Sequence, residues 1–181
     1  MSAGVDLHSP RLTIPVSERD HVIGPETAPV TMVEYGDYEC PYCGAAHPSV
    51  KAVQGALGDK LRFAFRHFPL STIHTHAMPA AEAAEAAGAQ GAFWEMHDLL
   101  FANQHSLEPE QLLVYADVIG LEVERFATEL RAHVHEPRVR EDFTSGIRSG
   151  VNGTPTFFVN GVRHNGGYDP DSLLEAIREA V

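Results

Sequence analysis

The sequence contains very little cysteine: only Cys40 and Cys43 among its 181 residues, both within the tetrapeptide Cys40-Pro41-Tyr42-Cys43. No other cysteine is left to cross-link distant segments, so a scaffold held together by disulfides is excluded. A chain of this length can bury a sizeable core without such cross-links. The pair is therefore either a redox couple or half of a metal site.

Basic residues and long apolar runs are also scarce. The 13 Lys and Arg residues are outnumbered by 25 Asp and Glu, giving a net charge of −12, so nucleic acid and anionic membrane surfaces are not expected partners. No stretch approaches the roughly 20 apolar residues of a membrane span. The first 30 residues are polar and lack the apolar centre of a signal peptide. A cytoplasmic location is expected, and an exported form with its leader removed remains open.

The cysteine motif lies between a predicted strand and a predicted helix. Residues 30–35 are rich in β-branched and apolar side chains, which predicts a buried strand. Over 43–57 apolar residues recur at helical spacing, and Gly58 follows as a stop signal. A thiolate at a helix N-terminus is stabilised by unpaired N–H groups and the helix dipole, so the pKa of Cys40 should fall below about 8.5. Cys43, one turn on, can resolve a mixed disulfide formed by Cys40.

The remaining strand signals lie at 61–68 and near the end of the chain. Alternating apolar residues over 61–68 predict a second strand, parallel to the first because a helix separates the two. A third strand is predicted at 156–159 and a fourth at 162–165, joined by an Asn-Gly pair that is typical of a hairpin turn. A final helix is predicted at 171–180.

The middle of the chain is predicted to be helical. Ala-rich and periodic segments indicate four helices, at 77–89, 92–103, 109–119 and 122–133, and a fifth at 137–149. The chain thus reads β-α-β, a helical block, then β-β-α. We divide it into an N-terminal arm (1–24), a first α/β part (25–73), a helical insertion (74–149) and a second α/β part (150–181). In the arm, Leu12, Ile14 and Val16 alternate as in a short edge strand.

Two segments, 29–43 around the CxxC motif and the Gly-Thr-Pro-Thr-Phe run at 153–157, resemble the DsbA-like thiol:disulfide oxidoreductases of the thioredoxin superfamily. The resemblance extends from about residue 22 to 181. It implies an α/β thioredoxin fold, with a mixed sheet and an inserted helical domain. It also implies dithiol/disulfide exchange with thiol-containing proteins or small thiols, and a redox partner that recycles the enzyme. The reactive group would be the Cys40–Cys43 disulfide; no other cofactor and no metal is expected.

The same resemblance implies roles for individual residues. Cys40 would be the nucleophile and Cys43 the resolving thiol. Glu34 would be a partly buried acid beneath the cysteines that serves in proton transfer. Pro155 would be a cis-proline beside the disulfide, and Thr154 would offer its backbone to a bound substrate peptide.

The motif departs from that of the strongly oxidising DsbA proteins. Pro41 and Tyr42 are candidate substrate contacts, but Tyr42 stands where those proteins carry a histidine, and tyrosine supplies no positive charge. Asp37 and Glu39 add negative charge near Cys40, which opposes the helix dipole. We therefore expect a Cys40 pKa above that of the most oxidising relatives, and a potential between about −120 and −270 mV.

The sequence also allows simpler interpretations of the cysteine pair and of several other residues. The alternative function is a binding protein whose cysteines hold a metal or sense oxidation. Glu34 could equally be an exposed edge residue. The apolar helix around 93–101 is expected to pack in the core rather than line a peptide groove. Four histidines that could act as bases are more simply surface or capping residues: His67, His74, His76 and His97.

Overall fold

The structure, a computed structural model, describes residues 10–181 and contains in that range five strands, seven α-helices and a short 3₁₀ helix at Gly58–Lys60. The strands are β1 (His21–Ile23), β2 (Val30–Gly36), β3 (Leu61–His67), β4 (Thr156–Val159) and β5 (Val162–His164). The helices are α1 (Pro41–Leu57), α2 (Ala77–Gly88), α3 (Phe93–Ala102), α4 (Pro109–Val118), α5 (Val123–Arg131), α6 (Glu136–Arg148) and α7 (Pro170–Glu179).

The five strands form one mixed sheet in the order β1-β3-β2-β4-β5. β2 and β3 are parallel, as the intervening helix predicts, and the other pairs are antiparallel. In the turn between β4 and β5, Asn160 and Gly161 both have positive φ, 46° and 78°. Only residues that tolerate this conformation form the tight turn that a two-residue hairpin needs. The predicted mixed sheet is confirmed.

Both faces of the central strands are covered, because successive side chains of a strand point to opposite faces. Met32 and Phe63 belong to the larger core, which also contains residues of α1, α2, α3 and α7. Val33 and Tyr35 belong to a smaller core on the other face, where Phe143 of α6 packs. The strand residues next to the cysteine motif are therefore shielded from water on both sides.

The N-terminal arm is tied to the sheet more firmly than the sequence predicts. β1 lies inside the segment predicted as the N-terminal arm, and it pairs with β3. The sequence did not predict this strand, because three residues are too few to show a periodic pattern. The buried guanidinium of Arg66 donates to Asp20 at 2.8 and 3.0 Å and to the carbonyls of Ile14 and Pro15. This multiple contact, which links residues about 50 positions apart, holds the arm against β3.

The short edge strand expected around Leu12 is reduced to a single bridge. Arg11 pairs with Val162, and the Leu12 amide donates to the Gly161 carbonyl at 2.9 Å. Leu12 and Val16 instead pack against the smaller core. The part of the predicted arm that precedes residue 10 lies outside the described residues.

Five helices, α2 to α6, occupy the interval between the two α/β parts. Alanine dominates α2, and its small side chains let this helix lie buried on almost every side. The apolar residues of α3 pack in the core as expected: Phe93, Met96, Leu100 and Phe101 are all buried. Among the described residues, no helix combines the length and apolar character needed to cross a membrane.

Candidate active site

The two cysteines lie at the start of α1, directly after the loop that leaves β2. Cys40 is the N-cap residue and Pro41 occupies the first turn, where its missing N–H is no loss. The Cys40 amide donates to the Asp37 carbonyl at 3.1 Å, which closes the loop before the helix. Cys40 and Cys43 are both buried, and both carry free thiols. The thiols therefore sit where the helix N–H groups and dipole act on them.

The surroundings of Cys40 favour its thiolate. A hydrogen bond donated by the Cys43 thiol lowers the pKa of Cys40 to about 5; Thr154 and the backbone N–H groups of Tyr42 and Cys43 add to this effect, while burial opposes it. In the thiol form, Cys40 Sγ donates to the Thr154 carbonyl 3.5 Å away. The Thr154 hydroxyl is buried without a hydrogen-bond partner among the described residues, so it is available to the thiolate.

Cys40 should therefore react with an alkylating agent such as iodoacetamide with a midpoint near pH 5, because the thiolate is the nucleophile. The measurement is the alkylation rate of reduced protein against pH, with a Cys43→Ser variant to ensure that only Cys40 reacts. Serine still offers a hydroxyl to the Cys40 sulfur, so the midpoint should remain well below about 8.5. A midpoint below about 4, in the range of the DsbA value of about 3.5, would contradict the expectation drawn from Tyr42.

Cys43 has the opposite character. Burial raises its pKa well above the ordinary value, and the hydrogen bond to Cys40 and the charge of Glu34 add to the rise. The Asp37 amide lies 3.5 Å from Cys43 Sγ and acts in the other direction. At neutral pH the pair thus holds one thiolate and one thiol, with the thiolate on Cys40.

Glu34 is buried, so its interpretation as an exposed edge residue is wrong. It lies on β2, its side chain is only 2% exposed, and Oε1 has no hydrogen-bond partner within residues 10–181. Burial raises the pKa of Glu34 to about 8, and the Cys40 thiolate adds to the rise. The carboxyl is therefore mostly protonated at neutral pH, and it interacts with both sulfurs.

The two acidic residues before Cys40 are engaged by hydrogen bonds. Asp37 is buried and accepts from the amides of Glu39 and Leu70 and from His74 at 2.7 Å. Glu39 accepts from the His76 amide at 2.7 Å. These contacts order the loop that precedes Cys40, and they spread both negative charges over several donors.

The histidines divide into two groups. His74 and His76 pair with the acids beside the motif, as capping residues do. His67 and His97 are buried, at 1% and 2% exposure, so their prediction as surface or capping residues is wrong. His67 Nε2 lies 2.8 Å from Glu85, and His97 Nδ1 lies 2.9 Å from the Tyr38 hydroxyl. Neither hydrogen bond reaches a cysteine.

The proposed substrate-contacting residues surround the sulfurs from two sides. The Thr154–Pro155 peptide bond is cis, as the resemblance implies, and the Thr154 carbonyl accepts from Cys40. Tyr42 is 64% exposed beside the motif. Pro41 lines a cleft of about 460 Å³, whose walls also include Glu39, His74, His76, Gln104, His105, Leu107 and Glu108.

Gln104 is a site residue that sequence reasoning missed. Its amide donates to the carbonyls of Tyr38 and Cys40 at 2.9 and 2.8 Å, so the helical block holds the backbone of the nucleophile. A Cβ on Gly44 would lie 2.0 Å from Gln104 Oε1, so only glycine allows this approach. Gly44 in the first turn of the predicted helix is the one feature of the sequence that could have indicated a side chain packed closely against this turn.

A metal at the cysteines finds no further ligands in the described part of the chain. Groups of three or more side chains that could hold an ion occur there, but none includes Cys40 or Cys43. The pair can exchange a disulfide with a substrate, because one sulfur is a stabilised thiolate and the other lies within one helical turn.

Comparison with known proteins finds a family and relatives that match most of the chain. A family model described as "Thioredoxin" matches residues 16–179. The chain is 51% identical over 170 residues to "Na(+)/H(+) antiporter NhaA 1" of Salinispora arenicola and 46% identical over 167 residues to "Na(+)/H(+) antiporter NhaA" of Herminiimonas arsenicoxydans. These matches cover 93% and 91% of this chain but 26% of each relative, so it spans about a quarter of their length.

Solved structures with the same architecture include BdbD from Bacillus subtilis in its oxidised form, with a TM-score of 0.84 and 25% identity over 95% of this chain and 96% of that one. A thioredoxin-like oxidoreductase from Silicibacter pomeroyi gives 0.80 and 27%, covering 91% and 93%. α-DsbA1 from Wolbachia pipientis gives 0.80 at 21% identity, covering 93% and 94%, a likeness of fold alone.

Proposed function

The chain belongs to the thioredoxin family and has a DsbA-like fold, and on this basis we propose that it is a thiol:disulfide oxidoreductase. Its redox couple would be Cys40 and Cys43, with no other cofactor. The observation that carries the proposal is the contrast between the two thiols: the pKa of Cys40 is lowered to about 5, whereas that of Cys43 is raised. A nucleophile and a protected resolving thiol need this contrast.

In the reducing direction, the Cys40 thiolate attacks one sulfur of a substrate disulfide. The substrate S–S bond breaks, its second sulfur leaves as a thiolate and takes a proton, and a mixed disulfide with Cys40 forms. Cys43 then gives up its proton and attacks Cys40 Sγ, which releases the first substrate sulfur as a thiolate. Two substrate thiols and the Cys40–Cys43 disulfide result, so the electrons balance.

Glu34 is suited to accept the proton of Cys43. The negative charge of the Cys40 thiolate contributes to the raised pKa of Glu34. Once Cys40 is bound in a mixed disulfide this charge is gone, so Glu34 ionises more readily at the moment when Cys43 must lose its proton. The carboxyl thus acts as a proton acceptor in the second half of the reaction.

In the oxidising direction, a substrate thiolate attacks Cys40 Sγ of the disulfide and Cys43 leaves. The Asp37 amide, 3.5 Å from Cys43 Sγ, stabilises the departing sulfur until it is protonated. A second substrate thiol then releases Cys40, whose low pKa makes it a good leaving group. The redox poise of the compartment and the recycling partner set the direction.

Substrates are proposed to be thiol-containing proteins or small thiols that reach the buried Cys40 sulfur past the exposed residues Pro41 and Tyr42. The Thr154 backbone beside cis-Pro155 offers hydrogen-bonding groups to an extended peptide. Pro41 and Tyr42, both exposed, supply apolar contacts. The antiporter names belong to relatives of which this chain matches a quarter, and the proposal for this chain rests on the thiol pair.

The test is the reduction of insulin disulfides by dithiothreitol. Purified protein should accelerate this reaction, and Cys40→Ser should lower the rate to that of dithiothreitol alone, because no attacking thiolate remains. Acceleration that survives Cys40→Ser would refute the proposal. Stoichiometric zinc or iron at the cysteines of freshly purified protein, without insulin reduction, would favour the alternative of a metal-binding protein.

A further inference from the structure

A second cluster of reactive side chains lies one helical turn beyond Cys43, outside the exchange reaction. It consists of His47 on α1 and of His97 and Asp98 on α3. One ring nitrogen of each histidine and one carboxylate oxygen of Asp98 all lie within 4.8 Å of one another. Because α1 carries the thiols and α3 belongs to the helical block, the cluster joins the two parts of the molecule.

The contact between His47 and Asp98 is unusual for a hydrogen bond. His47 Nε2 lies 3.3 Å from Asp98 Oδ1, yet this oxygen is buried and makes no hydrogen bond to any described residue. The two atoms are close but not aligned with each other. Neighbouring ligands of a tetrahedral zinc ion, each about 2.0–2.1 Å from the metal, are separated by about 3.3 Å. The spacing therefore fits two ligands of one tetrahedral ion.

Both histidines are shielded from solvent: His97 is 2% exposed and the His47 side chain 16%. The Tyr38 hydroxyl, 2.9 Å from His97 Nδ1, can accept the proton of that nitrogen, which leaves a lone pair on Nε2. A hydrogen bond of this kind on the far nitrogen is typical of metal-binding histidines.

We propose that His47, His97 and Asp98 form a binding site for a divalent transition metal, Zn²⁺ in the first place, with a fourth position open to water. Two imidazoles and one carboxylate are ligands that zinc accepts in proteins. The bound ion links α1 to α3 and so fastens the helix of the redox pair to the helical block. The oxygen of Asp98 reaches the ion by rotation of a side chain that is 44% exposed.

Lys51 lies beside the proposed site. Its ammonium lies 2.9 Å from Asp98 Oδ2 and its side chain is 42% exposed. The ammonium balances the charge of the carboxylate and, being partly exposed, can turn into solvent when a cation binds. Since it repels that cation, removal of Lys51 should strengthen metal binding.

The buried cluster around Glu85 offers a contrast. Its carboxylate oxygen already accepts from His21 and His67 at 2.9 and 2.8 Å, and Asp142 is bound to Arg138. Glu85 Oε1 and both oxygens of Asp142 thus already accept hydrogen bonds, whereas Asp98 Oδ1 accepts none from a described residue. The site on α1 and α3 is therefore the better candidate for an ion.

The experiment is a titration of the fully oxidised protein with ZnCl₂, followed by calorimetry and by competition with a chromophoric chelator. Oxidation removes both thiols as ligands, so the readout is independent of exchange activity. One Zn²⁺ per chain is expected. His47→Ala and Asp98→Asn should each weaken zinc binding by roughly tenfold or more. Loss of a residue that merely hydrogen-bonds a metal ligand already costs about tenfold in affinity, and loss of a ligand should cost at least as much. Lys51→Met should strengthen it roughly tenfold.

His133→Ala is the matched control, because His133 also lies beside carboxylates, 3.1 Å from Glu82 and 3.9 Å from Glu136. The His133→Ala variant should bind Zn²⁺ with the same affinity as the parent protein. Co²⁺ should give the visible bands of a low-symmetry site in the parent and lose them in His47→Ala. Absence of zinc binding, binding unchanged in His47→Ala, binding unchanged in Lys51→Met, or loss only in His133→Ala would each overturn the proposal.

Discussion

Cys43→Ser should trap the protein as a long-lived mixed disulfide. Cys40 keeps its helix N-terminal position and the Thr154 contact, and the serine hydroxyl can still donate to its sulfur, so it still attacks a disulfide. No second thiol remains to release the bound partner. Insulin reduction should fall to the background rate. Mass spectrometry after incubation with oxidised glutathione should show one glutathione per chain, attached to Cys40.

Two further variants separate attack from resolution. Cys40→Ser should form no adduct, because the pKa of Cys43 is raised and its sulfur is fully buried. Cys43→Ala should form the adduct more slowly than Cys43→Ser at pH 6, since the hydrogen bond from residue 43 is the largest cause of the low Cys40 pKa. An adduct on Cys43, or full turnover by Cys43→Ser, would show that the assigned roles are wrong.

Glu34→Gln should change how stability depends on pH, by an amount on the order of a few kcal/mol. The pKa of Glu34 is about 8 in the folded protein against 4.5 for an ordinary glutamate. Between these values the folded state holds a proton that the unfolded state has lost, so stability falls as pH rises. Each unit of difference is worth about 1.4 kcal/mol, and the full shift is an upper bound.

The reduced protein adds a second trend of opposite sign. The pKa of Cys40 is lowered from 9 to about 5, so the folded state loses this proton first and stability rises over that range. In the oxidised protein no thiolate exists, so the Cys40 trend is absent and only burial keeps the pKa of Glu34 raised. The lowered pKa values of His47 and His97 make stability rise toward pH 6.5 in both redox forms, so the effect of Glu34 is the difference between the parent protein and Glu34→Gln. Relative to Glu34→Gln, the oxidised parent protein should therefore lose stability as pH rises above about 5. The reduced parent protein should lose less stability over this range than the oxidised parent, because the Cys40 trend opposes the loss.

Guanidinium unfolding of both redox forms at pH 5, 6, 7 and 8 measures these trends. In Glu34→Gln the decline of the oxidised form should vanish, and the reduced form should gain stability as pH rises. Glu175→Gln, a change at an exposed position of α7, should leave both profiles as in the parent. If Glu34→Gln retained the decline, the buried carboxyl would not be its source.

The elements of the fold were largely predictable because their signals are local. The Asn160-Gly161 turn has positive φ at both positions. Asn and Gly are the residue types that tolerate this conformation, so the turn can be predicted from these two residues alone. The strand before the motif and the helix after it follow from apolar periodicity, and the structure places them within a few residues of the prediction. β1 escaped prediction because its three residues owe their pairing to β3.

Side-chain environments were less predictable, since they depend on residues far apart in the chain. Glu34 is buried because it lies on the face of β2 that faces the larger core, and buried His97 forms a hydrogen bond with Tyr38, 59 positions away. Gln104 reaches the Cys40 carbonyl across 64 positions. No local pattern encodes these approaches, because each residue alone suits an exposed position equally well.

By itself the sequence determined the pair of sulfurs, the strand-to-helix setting that places them at a helix N-terminus, and the two-part α/β chain with its helical block. Only the tertiary structure decided that Cys43 is buried with a raised pKa, that the Glu34 carboxyl stays protonated and that His47 and His97 lie beside Asp98. The physical reason is that backbone geometry follows from neighbours along the chain. Charge and proton affinity follow instead from burial and from partners that only folding brings within hydrogen-bond distance.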